Sequence, residues 1–292
     1  MLATNDMTRI ALTLLLPLAA LACAPPMISL SRGGAAPSPD GVIAVLCRFP
    51  ENLSPASVWV DRTGAVYLTD PSRWRLLSFQ PDGDSCLQRF ELSLGNPDAF
   101  LVPGYDEGFC LADAREQSVR FYSSQGKPRG MVMVAGRTTS AAAVTAAGDL
   151  FVLDEPRREI SVFDPRGRAV RQFSVAIGPA AAAGQRPAMA VTRAGDLVAL
   201  TDPADGTIAL HSGWGRALAR FRARPAAMAF DSYSRLWTVD AEGRMDVFDC
   251  HHPGRGSTWP DGAAGTGRGS LIAIGSGDQV TVAARGNLFR CR

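Results

Sequence analysis

The chain has 292 residues, 46% of them hydrophobic and 20% charged, so it can bury a large core and is too apolar for a disordered protein. Its 30 basic and 28 acidic residues leave a formal net charge of +2, which excludes the strongly basic field of a dedicated nucleic-acid binder. Any polyanion site must be local.

At the N-terminus, Arg9 precedes an uncharged run from Ile10 to Ala22. Such a run is too short to span a bilayer but suits the hydrophobic region of a secretory signal. Met7 offers an alternative start with the compact positive region Met7-Thr8-Arg9. The run ends at Ala20-Leu21-Ala22-Cys23, which resembles the lipobox of bacterial lipoproteins. That resemblance implies a signal over residues 1–22 and lipid on Cys23; a plain cleaved signal with Cys23 incidental is the alternative. In that family an Asp after the lipidated cysteine favours the inner membrane, whereas Ala24 stands here. The implied location is the outer membrane, facing the periplasm or cell surface. Residues 23–40 are rich in Pro, Gly, Ser and Ala without periodicity and read as a flexible tether. At about 3.5 Å per residue it reaches at most ~60 Å.

From residue 41 to 292 one motif returns: an apolar segment, a turn usually holding Gly, a second apolar segment ending in Asp, then a third. The aspartates Asp70, Asp113, Asp154, Asp202 and Asp240 are spaced 43, 41, 48 and 38 residues apart, a period that signals stacked supersecondary units. With four short strands per unit, blade one is Ser57 to Asp61, Ala65 to Asp70, Leu76 to Phe79 and Ser85 to Phe90, with turn chemistry at Arg62-Thr63-Gly64 and Pro81-Asp82-Gly83. Blades two to four run from Asp98 to about Val134, Ala141 to about Ser174, and Ala188 to about Arg222. Blade five starts at Ala226, and the Pro/Gly-rich stretch after Cys250 predicts a short or absent outer strand. Ser270 to Ile274, Gln279 to Ala284 and Asn287 to Arg292 make three strands of a sixth blade, whose fourth is Gly41 to Phe49. This 3+1 arrangement removes open sheet edges. The expected fold is an all-β, six-bladed β-propeller closed by its N-terminal strand; an array of β-sandwiches is the competing architecture.

The pattern from Gly64 to Gly83, with Val66-Tyr67, Asp70, Arg75-Leu76 and Phe79, resembles the NHL repeat, and Gly148 to Gly167 echoes it with Asp154, Ile160 and Phe163. Trp-Asp and Gly-His signatures of WD40 repeats do not recur.

Six cysteines in an exported chain invite disulfides. Cys47 and Cys291 lie on the two strands that closure makes neighbours, and we expect them to form a latch; Cys86 with Cys110 is a second candidate pair, and Cys250 has no evident mate.

Chemistry is sparse. The repeated aspartates read as Asx turns closing strands. Six-bladed lactonases, which resemble NHL proteins in fold, hold a divalent cation with Glu, Asn and Asp along the central channel. Here the inner strands supply Val58-Trp59-Val60, Ala99-Phe100-Leu101, Ala142-Ala143-Val144, Met189-Ala190-Val191, Met228-Ala229-Phe230 and Leu271-Ile272-Ala273, with no hard oxygen ligand. Asn96, Asp98 and Asp231 are the remnants from which such a set would be built. His211, His251 and His252 show no zinc spacing, Gly-x-Ser-x-Gly is absent, and Gly262 to Gly269 reads as a loop. We therefore expect no catalytic residue, metal or cofactor.

A basic surface remains. Connections between second and third strands carry Arg73, Arg115, Arg157, Arg158 and Arg244, with Trp74 beside Arg73, and such a face suits carboxylate, phosphate or sulfate. The connections entering the inner strands add Arg186, Arg224 and Arg268. Ordinary solubilising charge, offset by Asp70, Asp113, Glu155 and Glu159, is the alternative. The expected function is a non-catalytic, lipid-anchored scaffold binding an envelope protein or anionic cell-envelope polymer, with no nucleic acid. The rival is a metal-dependent lactonase or hydrolase with a degenerate site.

Overall fold

The computed structural model describes residues 27–28, 43–48, 53, 55–82, 85–105, 107–178, 186–251, 256–258, 271–274, 278, 280–284 and 287–291. The signal, Cys23, most of the tether, His252, Arg268 and the Gly262 to Gly269 run lie outside them.

The chain is an all-β propeller. Its strands in order are β1 (Met27–Ile28), β2 (Ile43–Arg48), β3 (Ser57–Val60), β4 (Val66–Asp70), β5 (Arg75–Asp82), β6 (Ser85–Ser93), β7 (Phe100–Val102), β8 (Gly108–Asp113), β9 (Ser118–Ser123), β10 (Pro128–Met133), β11 (Ala141–Val144), β12 (Leu150–Asp154) and β13 (Glu159–Phe163). There follow β14 (Ala169–Ser174), β15 (Met189–Val191), β16 (Leu197–Asp202), β17 (Thr207–Ser212), β18 (Ala217–Arg222), β19 (Pro225–Phe230), β20 (Arg235–Asp240), β21 (Met245–Asp249), β22 (Gly256–Thr258), β23 (Leu271–Ile274), β24 (Val280–Ala284) and β25 (Asn287–Cys291). Among the described residues they group into six antiparallel sheets: β3 to β6, β7 to β10, β11 to β14, β15 to β18, β19 to β22, and β23-β24-β25-β2. The first strands of these sheets touch in the cyclic order β3, β7, β11, β15, β19, β23 and back to β3.

Side-chain alternation explains the stacking. Successive strand residues point to opposite faces, so a strand buried on both sides reads as a continuous apolar run. In β12, Leu150 and Val152 join Val102, Cys110 and Val132 of the preceding sheet, while Phe151 and Leu153 join Met189, Val198 and Leu200 of the next. In β4, Val66 and Leu68 pack with Ala273 of the last sheet, and Tyr67 packs with Leu101, Phe109 and Leu111 of the second. Each sheet is thus a layer between two neighbours, and no single centre holds the core. The middle strands carry the largest share: Tyr67, Phe79, Phe109 and Phe151 are fully buried.

The repeated aspartates take the structural role. Asp113 Oδ1 accepts from the backbone N–H groups of Arg115 and Glu116 at 3.0 Å, and Asp240 Oδ1 from those of Glu242 and Arg244 at 3.0 and 2.8 Å. Asp70 accepts from the Ser72 hydroxyl at 2.5 Å, Asp154 pairs with Arg157 at 2.9 Å, and Asp202 accepts from the Gly178 N–H at 2.8 Å. Each satisfies backbone or guanidinium donors at a sheet end, where the ladder stops.

Several expectations change. Met27 and Ile28, read as tether, pair parallel with Arg220 and Phe221 on the outer edge of β18. The outer strand β22, by contrast, is short as expected, three residues in a Pro/Gly-rich context. The β2–β25 register sets Cys47 opposite Leu288 and Cys291 opposite Ile43. Leu288 and Cys291 are three positions apart, about 10 Å along a strand. A disulfide spans at most ~7 Å between Cα atoms, so this register argues against the Cys47–Cys291 latch. Cys86 is disulfide-bonded, and it packs against the cluster shared by the first and last sheets. Cys110 and Cys250 are buried free thiols, which rules out a Cys86–Cys110 bridge.

Candidate functional site

Calling the strands of each sheet a to d from the axis outward, the inner a strands end at one mouth of the central channel, where the a–b turns begin. The loop after β7 shapes this mouth. Gly104 has φ +103°, a left-handed conformation that favours glycine, and a Cβ built there would overlap the Val144 carbonyl. That close approach lets the Val144 N–H donate to the Pro103 carbonyl at 2.8 Å. On the other side Trp59 Nε1 donates to the carbonyls of Tyr105 and Gly108, both at 3.1 Å. The loop is pinned between the first and third sheets.

The recess so formed is lined from all six sheets. Trp59, Pro103, Gly104, Ala143 and Val144 come from the first three; Ala190, Val191, Arg193, Ala229, Phe230, Ser232, Ile274 and Asp278 come from the last three. Its empty volume, open solvent at the mouth included, is about 530 Å³. Alanine at three inner-strand ends leaves the space. The polar groups gather on one arc: Asp278 accepts from the Ser232 N–H at 2.6 Å and from the Ser232 hydroxyl at 2.5 Å, and Arg193 lies on the adjoining sheet. Asp278 itself sits at φ +57°, an uncommon backbone state for a residue other than glycine.

The donor set does not fit a divalent cation. Among the described residues no group of three His, Cys, Asp or Glu converges. Asn96 Nδ2 donates to Asp113 at 2.6 Å, and Asp98 pairs with Arg115 at 3.0 Å and Arg186 at 3.4 Å, on the side where d strands lead into a strands. Asp231 lies at the opposite end, accepting from the Tyr233 and Arg235 N–H groups and from Trp237 Nε1 at 2.9 Å. The three remnants do not meet.

The arginine face lies at the far mouth, on the b–c turns. Arg115 is held by Asp98, Arg157 by Asp154, and Arg244 by Asp240 at 2.6 Å. Among the described residues Arg73 and Arg158 make no ion pair. Trp74, half exposed, and Arg158 occupy matching left-handed positions, φ +53° and +54°, where the fourth sheet has Gly206. Most of the expected positive face is therefore neutralised by neighbouring aspartates. Trp59, Ala143, Val144, Ala190, Val191, Ala229 and Phe230, read from the sequence as inner-strand residues, line the recess. Arg193, Ser232 and Asp278 escaped the sequence reading because each sits just past a strand, in a turn with no motif.

No protein-family model matches the chain, and no curated protein matches it in sequence. Solved structures do. A gluconolactonase from Xanthomonas campestris matches at TM-score 0.63 and 15% identity, covering 92% of this chain and 95% of that one. A virginiamycin B lyase from Staphylococcus aureus, solved with quinupristin, matches at 0.59 and 11%, covering 86% and 99%. The WD40 domain of Pan2 from Neurospora crassa matches at 0.56 and 10%, covering 85% and 94%. At these identities the likeness shows the propeller fold alone.

Proposed function

We propose that this protein is a non-catalytic binding propeller of the cell envelope, a six-bladed NHL-like ring closed by β2 on β25, held to the membrane through lipid on Cys23, that takes its ligand in the axial recess. The observation that carries this reading is the recess wall, where Ala143, Val144, Ala190, Val191, Ala229, Phe230 and Ile274 are apolar and, among the described residues, Asp278 is the one carboxylate. A metal-dependent hydrolase needs several oxygen ligands around one cation. The recess also supports a small ligand better than the arginine face supports a polyanion, because Arg115, Arg157 and Arg244 already have carboxylate partners.

The likeness to a gluconolactonase and a virginiamycin B lyase favours a second reading, an enzyme of lactonase or lyase type. One experiment separates the two. The mature domain is purified, analysed for bound metal, melted with and without chelator, and assayed on simple lactones and esters. A metal-free, chelator-indifferent domain without turnover supports the binding reading. Stoichiometric metal with chelator-sensitive turnover replaces it with the enzyme reading.

A further inference from the structure

The strand β1 clamps the N-terminal segment onto the ring. Met27 and Ile28 pair parallel with Arg220 and Phe221 on the outer edge of the fourth sheet. Parallel strands advance together, so β1 starts on the side of the sheet where β18 starts. That side carries the β17–β18 turn, made of Gly213, Trp214, Gly215 and Arg216. Cys23 stands four residues before Met27, and Arg216 stands four residues before Arg220. Four residues of chain reach at most ~14 Å, and four residues of β18 span ~13 Å. The lead from β1 back to Cys23 is therefore as long as the distance from β1 to the turn.

The turn holds an aromatic side chain out in the open. Trp214 is 76% exposed, the most open large hydrophobic side chain among the described residues. It is nevertheless held in place: the Arg171 guanidinium lies 4.3 Å from its ring centroid. Gly215, at φ +87°, lies so close to the third sheet that a Cβ there would come within 2.6 Å of Phe173. An indole positioned this way gains little burial within the chain, and its amphipathic ring suits the bilayer interface, where tryptophan is enriched. The neighbouring charge suits anionic headgroups. Arg216 in the same turn and Arg166 in the equivalent turn of the third sheet are exposed and, among the described residues, make no ion pair. The nearby acids are engaged, Asp164 by Arg168 and Asp196 by the Thr192 hydroxyl.

We infer that the β17–β18 turn is the membrane contact of the propeller. With β1 docked, the lipid of Cys23 and the Trp214 ring enter one patch of bilayer, and Arg216 and Arg166 meet anionic phospholipid headgroups. In an antiparallel sheet the c–d turn lies on the same side as the a–b turn, so the axial recess opens on the bilayer side and Trp74, on a b–c turn, lies away from it. This rests on the lipid anchor proposed above and adds to it the contact surface and the orientation of the ring.

The test is tryptophan fluorescence of the full-length lipidated protein, reconstituted in vesicles of phosphatidylethanolamine and phosphatidylglycerol with and without bromine on the acyl chains. Bromine quenches indoles that enter the bilayer. The expected result is quenching of the wild type that falls by at least half in Trp214→Phe and is unchanged in Trp74→Phe. Met27→Pro combined with Ile28→Pro removes both N–H donors of β1; it should abolish the Trp214 share of the quenching while the protein stays on the vesicles. The mass of the mature N-terminal peptide reads the lipid separately. Quenching that is absent, or that is unaffected by Trp214→Phe or by the proline pair, would overturn the inference and leave the lipid anchor in place. A mature N-terminus without acyl chains would overturn both.

Discussion

Tyr67 donates its phenolic hydrogen to the Asp61 carboxylate at 2.7 Å, with both groups buried between the first two sheets. Asp61 also gathers the N–H groups of Thr63 and Ala65, at 2.8 and 3.1 Å, so one side chain satisfies a turn and anchors an aromatic ring. The fifth sheet repeats the device with Trp237 Nε1 on Asp231. Burial, reinforced by the Asp61 charge, pushes the Tyr67 hydroxyl well above its ordinary pKa, so it remains a donor in alkaline solution. Tyr67→Phe strands a buried carboxylate oxygen and should cost about 1–3 kcal/mol. Urea unfolding at neutral pH reads this directly, and a variant within 0.5 kcal/mol (about the scatter of neutral surface changes) would show that water replaces the phenol.

Gly104 controls the mouth of the recess. Its left-handed backbone and the overlap of a Cβ with the Val144 carbonyl mean that Gly104→Ala must push the loop off β11. We expect a lowered melting temperature and loss of ligand binding together. Gly136, also at positive φ but in open space, is the control: Gly136→Ala should cost only about 1 kcal/mol and leave binding intact.

The thiols should divide sharply. Cys86 is in a disulfide, whereas burial raises the thiol pKa of Cys110 and pushes Cys250 up to about 12. The reactive thiolate is therefore scarce at both free cysteines. Alkylation of the native domain at pH 8 should leave Cys110 and Cys250 unmodified, and both should label in denaturant. Non-reducing peptide mapping should find Cys86 crosslinked, to neither of those two.

His211 is buried near the end of β17, an interior strand of the fourth sheet, and burial, helped by the Arg220 charge, lowers its pKa below the ordinary value of 6.5. A group depressed in the folded state contributes stability above its unfolded pKa and loses it as pH falls toward the folded value. Melting temperature should fall as pH drops below about 6.5, the ordinary histidine value, through this group. His211→Leu should flatten that dependence, raising the melting temperature more at pH 5 than at pH 8. An unchanged pH profile would assign the acid limb to other groups.

What was legible in the sequence is local. The turn aspartates, the Gly turns and the paired apolar segments placed β3 to β6, and the outer limits of the β11 to β14 sheet, within a few residues of their observed ends, because each hairpin is specified by its own alternation and turn chemistry. The shortness of β22 was equally visible from its composition. Less was legible where chain ends meet: parallel docking of Met27–Ile28 on β18 has no local signature, and the cysteine pairing turned on a register that two distant strands set together.

By itself, then, the sequence determined a repeating all-β chain with a non-polar channel wall, since strand period, turn residues and unit length are properties of each repeat. Only the tertiary structure decided which polar groups share a site. Arg193, Ser232 and Asp278 lie 39 and 46 residues apart along the chain and meet because each lies in the connection between the first and second strands of a consecutive sheet. The same geometry dispersed the residues whose types had suggested chemistry, sending Asn96 and Asp98 to one end of the channel and Asp231 to the other. A ring of stacked sheets converts one unit of chain length into one step around an axis. Proximity at that axis follows from position within the repeat, and from neither residue type nor nearness in sequence.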